Sequence, residues 1–189
     1  METLEAIKTR RTIGKSEGEL PRETVMELVE AATWAPNHKM TQPWRFSVLT
    51  GAAREELGRV WAASAAASVP AEQRDAFIAG ESKKPLRSPT LIIVSVRTDP
   101  NPIMADEDLT ATAAATQNLL LAAHAKGIAA GWKSGKICYC EDVKRFLGLD
   151  VTDRIIAIVY LGLTAKEEPM VKGRDAASAI RWIGEAVPA

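Results

Sequence analysis

Three short stretches of this sequence gather side chains suited to holding an anion and a planar polar ring. In Arg10-Arg11-Thr12, two guanidiniums and a hydroxyl stand side by side, suited to bidentate grip on a phosphate. The same basic pair would also serve as a helix C-cap that complements the dipole. The second stretch runs from Ala35 to Trp44 and carries Asn37, His38, Lys39, Thr41 and Gln42 between Pro36 and Pro43. Proline restricts the residue before it to extended backbone, so a stiff array of donors and acceptors is expected. The plainer alternative is a proline-bounded surface turn. In the third, Gly131-Trp132-Lys133-Ser134-Gly135, glycines flank a Trp, a cation and a hydroxyl. A packed Trp beside a surface lysine would look the same.

Other chemistries lack their residues. There is no HExxH, GxxxxGK[ST] or GxSxG motif, and Gly127, Gly131 and Gly135 do not form a GxGxxG turn. Cys138 and Cys140, with the only two histidines, His38 and His124, allow a Cys₂His₂ zinc site by count alone. Their spacing fits no usual zinc module, so they are expected to be buried packing residues.

The elements that must position these stretches can be read from apolar periodicity and breakers. A short helix over Thr3–Arg10 has Leu4 and Ile7 on one side. Pro21 opens a helix in which Val25, Leu28, Val29 and Ala32 recur at helical spacing. It leads to Trp34 and the proline-bounded loop. Trp44–Leu49 reads as a strand, Ala52–Ala67 as a helix anchored by Leu57, Val60 and Trp61, and Ala71–Lys83 as a weaker helix. Leu91–Val96 and Arg154–Leu163 are β-branched runs suited to strands buried on both faces. Asp106, Glu107 and Asp108 predict the start of an Ala/Thr-rich helix that stops at Gly127, and its small side chains allow close helix–helix approach. A short strand over Ile128–Lys136 and a helix over Glu141–Leu147 follow.

The totals suit one α/β or α+β domain over residues 1–189, with 164–189 a charged extension whose short apolar cluster is Ile180, Trp182 and Ile183. That extension is expected to wrap over another surface, such as a partner subunit. Lys plus Arg and Asp plus Glu each number 24, so no net field draws the chain to nucleic acid or anionic lipid. The longest apolar stretch, Leu109–Ala125, is too polar to span a bilayer, and no apolar leader opens the chain. A soluble cytoplasmic protein is the expectation.

At its three polar stretches the chain resembles the FMN-dependent nitroreductase family. An N-terminal helix ending in Arg-Arg-Ser/Thr and a Pro-x₅-Gln-Pro-Trp loop are that family's hallmarks. Here they stand as Arg10-Arg11-Thr12 and Pro36 to Gln42-Pro43-Trp44. The compact length, Ala-Pro-Asn-His-Lys and the later Trp-Lys-Ser resemble the minimal YdjA-like NAD(P)H nitroreductase subgroup.

The resemblance implies an α+β fold with a central mixed β-sheet surrounded by helices, in an interlocked homodimer with two interfacial FMN sites. Arg10, Arg11 and Thr12 would hold the phosphate and ribityl end, and Trp34 and His38 would come from the other subunit. Trp132, Lys133 and Ser134 would line the flavin ring. Many relatives carry a basic residue where this chain has Gly14. Lys15, and Lys172 with Arg174 at a Lys-x-Arg spacing, stay outside the expected site.

Because flavin carries the hard chemistry, no catalytic acid, nucleophile or metal is expected. NADH or NADPH would supply two electrons by a ping-pong route to a nitroaromatic or quinone-like acceptor. A non-catalytic flavin-binding or storage module, or a domain whose FMN serves a partner, is the competing class.

Overall fold

The computed structural model describes residues 1–166 and 174–184. A four-stranded sheet of order β2-β3-β5-β4 lies at its centre, built from β2 (Trp44–Leu49), β3 (Thr90–Val96), β4 (Ala129–Lys133) and β5 (Arg154–Gly162). All three of its ladders are antiparallel. The α+β class and the central sheet are as expected, whereas the parallel member that a mixed sheet needs is not among the described residues. Two further short strands, β1 (Ser16–Glu17) and β6 (Thr164–Ala165), pair with each other and tie the N-terminal segment to the end of β5.

Strand side chains alternate between faces, and both faces of this sheet are covered. Ile92, Val94, Ala157, Val159 and Leu161 face α2 (Arg22–Thr33) and α5 (Pro102–Ala125). Leu91, Ile93, Ile158 and Tyr160 face α3 (Ala52–Ala66) and α6 (Glu141–Phe146). This is why β3 and β5 read as unbroken apolar runs. Fully buried anchors such as Leu28, Leu57 and Leu119 each contribute about 1.5–3 kcal/mol of burial free energy.

Two expectations about local structure need correction. Helix α5 starts at Pro102, where the Asn101 side chain accepts a hydrogen bond from the Ile103 amide as N-cap. Asp106, Glu107 and Asp108 therefore lie in the second turn, past the four orphan amides they were expected to complement. The proline-bounded loop is not simply extended either. It contains a 3-10 turn over His38–Met40, and Lys39, Met40 and Gln42 have φ of 53°, 53° and 45°. Left-handed backbone at three non-glycine residues costs of order 1 kcal/mol or more each.

The loop is held in this conformation by helix α5. Thr41 donates its hydroxyl proton to the buried carboxylate of Asp108 at 2.8 Å. His38 Nδ1 lies 2.6 Å from Glu107 Oε2. The Asn37 side chain accepts from the Gln42 amide at 3.0 Å. The two acids thus pin the loop and do not cap the helix.

Helix α1 (Thr3–Thr9) buries only Ala6, leaving Leu4 and Ile7 exposed. After it the chain crosses β4, and the Ile13 amide donates to the Ala130 carbonyl at 2.9 Å. A Cβ at residue 131 would lie 2.2 Å from the Ile13 carbonyl oxygen. Only glycine permits this crossing, which lays the Arg10–Ile13 segment against the strand carrying Lys133. Beyond the core, α4 (Ala71–Glu81) packs on α3 without burying a residue. Ile180, Trp182 and Ile183 are exposed, so they do not join the chain's own core.

Candidate functional site

The basic pair at the end of α1 divides its work. Arg11 turns back onto its own helix, donating from Nη1 to the Lys8 and Arg10 carbonyls at 2.6 and 2.9 Å. It acts as the C-cap that the sequence alone also allowed. Arg10 differs: its Nε and Nη1 are buried without a hydrogen-bond partner. Burial, then the charges of Arg11 and Arg174, push its pKa below the ordinary guanidinium value. The desolvated N–H donors of Arg10, left without an acceptor, suit an anion. Thr12 is exposed beside them.

Arg10 and Arg11 line a recess of about 330 Å³ with Thr9, His124 and Ala129–Ala130 of β4. The Thr9 hydroxyl donates to the Glu5 carbonyl at 2.7 Å, so its oxygen is left to accept from His124 Nε2–H at 2.8 Å. That assigns the tautomer of neutral His124 and leaves Nδ1 as the site of protonation. Burial and the charges of Arg10 and Arg11 lower the His124 pKa from its usual 6.5, with Glu5 opposing.

The sign of the resulting pH dependence follows. Between the depressed folded value and 6.5 the unfolded chain binds more protons, so stability rises with pH there. The FMN-free protein is expected to lose Tm on going from pH 7.5 to 5.5, with His124→Asn removing part of that loss. An unaltered profile in the variant would show that His124 does not feel the cluster. Glu81, whose pKa is lowered from 4.5, acts at lower pH, outside this window.

Along the same strand β4, Trp132 and Lys133 point to opposite faces. Trp132 packs against the α2/α5 core, whereas Lys133 and Ser134 line a cleft of about 840 Å³ on the α3 face. The expected grouping of Trp132 with Lys133 and Ser134 is therefore divided, since adjacent strand residues cannot share a face. Gly14 also lines the cleft, so the Arg10–Gly14 segment links the anion recess to it. Pockets of roughly 300–1,000 Å³ usually hold small ligands, and this one is at the upper end.

Trp34 and His38 belong to neither recess. Trp34 caps α2 and is 80% exposed. His38 lies over α5 in a separate shallow depression with Glu107 and Thr110. A single protomer thus brings Arg10, Arg11, Thr12, Lys133 and Ser134 onto connected surface and leaves Trp34 and His38 apart.

Arg174 is a candidate that the sequence reading set aside. Its charge acts on Arg10, and the Lys-x-Arg spacing was the one available signal. Lys172 lies outside the described residues. Lys15 is exposed, and its carbonyl accepts from the Lys166 amide at 2.9 Å. His124 carried no sequence signal beyond a polar residue in an apolar helix. Cys138 and Cys140 are buried free thiols, and among the described residues no three His, Cys, Asp or Glu side chains could hold a metal. Among those residues too, no helix is long and apolar enough to cross a membrane.

Comparison with known proteins bears on the family and the fold. The model of the nitroreductase family matches residues 7–163. The Bacillus subtilis (strain 168) protein named "Putative NAD(P)H nitroreductase YfhC" is 35% identical over 170 residues, which span 89% of this chain and 87% of that protein. The crystal structure of a nitroreductase-like family protein from Bacillus cereus has a TM-score of 0.86 at 29% identity, covering 98% of this chain and 97% of the other. That of a nitroreductase with bound FMN from Bacteroides fragilis has a TM-score of 0.74 at 25% identity, covering 97% and 99%.

Proposed function

The chain belongs to the nitroreductase family, and on that premise we propose an FMN-dependent oxidoreductase that passes two electrons from NADH or NADPH to a nitroaromatic or quinone-like acceptor. The observation that carries this reading is Arg10, whose Nε and Nη1 are buried without an acceptor at the head of a segment leading into a ring-sized cleft. A phosphate fits that deficit in charge and in hydrogen bonding. When bound, FMN supplies the two-electron redox centre between donor and acceptor.

The chain's own residues bind, orient and tune. Arg10 donates to the phosphate, Arg11 and Arg174 add positive field, and Thr12 offers a hydroxyl toward the ribityl end. Lys133 and Ser134 line the cleft that would hold the ring, where the ammonium would stabilise negative charge on the reduced cofactor. The cleft admits donor and acceptor in turn, which makes the kinetics ping-pong. Overall, one NAD(P)H and one proton convert a nitro group to a nitroso group with release of water, or a quinone to its hydroquinone.

The working form in this reading is a homodimer. Trp34 and His38, remote from Arg10 within one protomer, complete the flavin site of the partner. Large apolar side chains left in solvent by one chain, among them Leu4, Ile7, Trp34 and Met40, support an interface. His38 is held through Nδ1 by Glu107, which keeps Nε2 available to a ligand. The C-terminal extension packs on the partner, in line with the exposure of Ile180, Trp182 and Ile183.

The deciding experiment is the visible spectrum of freshly purified protein, followed by identification of the chromophore released by denaturant. Flavin bands, free FMN, and bleaching by NADH or NADPH that an added quinone reverses are the expected results. A colourless protein that takes up no added FMN would remove the reading. Bound FMN without turnover would leave a flavin-carrying module.

A further inference from the structure

The cleft on the α3 face contains more positive charge than a flavin ring requires. Its acids are already engaged. Glu81 accepts from Trp61 Nε1 at 2.8 Å and pairs with Lys84 at 2.5 Å. Glu141 pairs with Lys144 at 2.9 Å and Asp142 with Arg145 at 2.7 Å. Arg87, Lys133 and Lys136 line the same cleft, and none of the three makes an ion pair or side-chain hydrogen bond among the described residues. Lys133 is assigned above to the ring of the cofactor. Arg87 and Lys136 then remain as two cations that form no ion pair among the described residues, one on the turn before β3 and one on the turn after β4.

Four aromatic side chains, Trp61, Phe77, Tyr139 and Tyr160, line the cleft among smaller aliphatic and hydroxyl residues. The Trp61 ring is held in place by its bond to Glu81. Flat walls with unpaired cations between them match a planar ligand that carries an anionic substituent.

We propose that the acceptor of this protein is an anionic aromatic compound, a ring bearing a carboxylate or equivalent oxyanion, which Arg87 and Lys136 recognise in the cleft. The proposal rests on the oxidoreductase reading above and specifies its acceptor. Burial pushes the Tyr160 hydroxyl pKa up and the charge of Arg87 opposes that rise, while Arg87 also adds to the lowering of the Glu81 pKa by Lys84 and Trp61. That places the guanidinium near the inner wall of the cleft. Glu81 is compensated by Lys84 and Trp61, so it does not cancel Arg87.

The test compares 4-nitrobenzoate with its neutral near-isostere 4-nitrobenzamide, using FMN-loaded protein at low ionic strength. The benzoate is expected to be preferred by about tenfold in kcat/KM, with the preference shrinking as salt is added. Arg87→Gln should remove most of that preference and leave the benzamide within about twofold of wild type, a shift equal to one screened charge contact. Lys136→Gln, at an independent exposed position, should lower it in the same direction.

Equal kcat/KM for the two compounds in the wild type would overturn the proposal, as would a preference that survives in the double variant. A rise in the KM of NADH or NADPH in Arg87→Gln, with acceptor discrimination intact, would assign the cations to the donor and also overturn it. Failure to reduce either compound, or to hold FMN, would count against the oxidoreductase reading instead. Calorimetric titration of the same protein with benzoate and benzamide would then decide the recognition claim: benzoate should bind more tightly, and Arg87→Gln should abolish the difference.

Discussion

Arg10→Ala is expected to strip the protein of FMN while leaving it folded. The side chain lies at the end of α1, is only partly buried, and supports no other residue by a hydrogen bond among the described residues, so its removal costs the fold little. It costs the cofactor much more. Truncating one partner of a buried, charge-assisted contact weakens binding by about 2–5 kcal/mol, or roughly 30- to 4,000-fold in Kd. Riboflavin, which lacks the phosphate, should bind wild type and variant alike, so the ratio of FMN to riboflavin affinity isolates the contact. Arg11→Ala should lose much less affinity, because Arg11 spends its Nη1 on the Lys8 and Arg10 carbonyls; its main cost is a helix cap. Equal flavin content in wild type and Arg10→Ala would remove the phosphate assignment.

Ile7→Asp is expected to produce a folded monomer with little FMN. Ile7 is 51% exposed and Leu4 69% exposed on a helix whose only buried residue is Ala6. A carboxylate at position 7 is therefore harmless in an isolated chain. Within an apolar interface it would be an unpaired buried charge, which costs several kcal/mol and appears twice in a two-fold dimer. Sedimentation should report about twice the 20.4 kDa chain mass for wild type and the single mass for the variant. FMN should dissociate along with the partner, because in the proposed dimer Trp34 and His38 reach the site from the second chain. A monomeric variant that retains FMN at wild-type affinity would show that one protomer holds the whole site.

The comparison of sequence with structure turns on particular residues. Helix α2 was legible because Val25, Leu28 and Ala32 recur at helical spacing and are all buried. Strands β3 and β5 were legible because both faces of the sheet are covered, which leaves no polar alternation. Arg10 and Arg11 were visible as a pair, but their division was not. One guanidinium caps a helix and the other lies unsatisfied in a recess, a difference of side-chain direction that adjacent residues do not encode. The expected N-terminal role for Asp106–Asp108 failed because Asn101 and Pro102 supply the stronger start signal one turn earlier. The extended loop failed because Asp108 and Glu107 of α5 hold Thr41 and His38, and a tertiary hold of this kind overrides the preference of a residue before proline.

What the sequence determined by itself was local and compositional. It marked the helices and strands by their periods, the family through two spaced motifs, and the residues able to meet a phosphate and a ring. Tertiary structure alone decided which of those residues meet. It placed Arg174 where its charge reaches Arg10, set His124 beside Thr9, sent Trp132 and Lys133 to opposite faces of β4, and left Trp34 and His38 apart from the Arg10 recess. It also gathered Glu81, Arg87, Lys136 and Tyr160 around one cleft. The physical reason is that periodicity and capping depend on neighbours within a few residues. A binding site instead depends on the direction and desolvation of side chains brought together from distant parts of the chain, and these are settled only when the sheet and its covering helices pack.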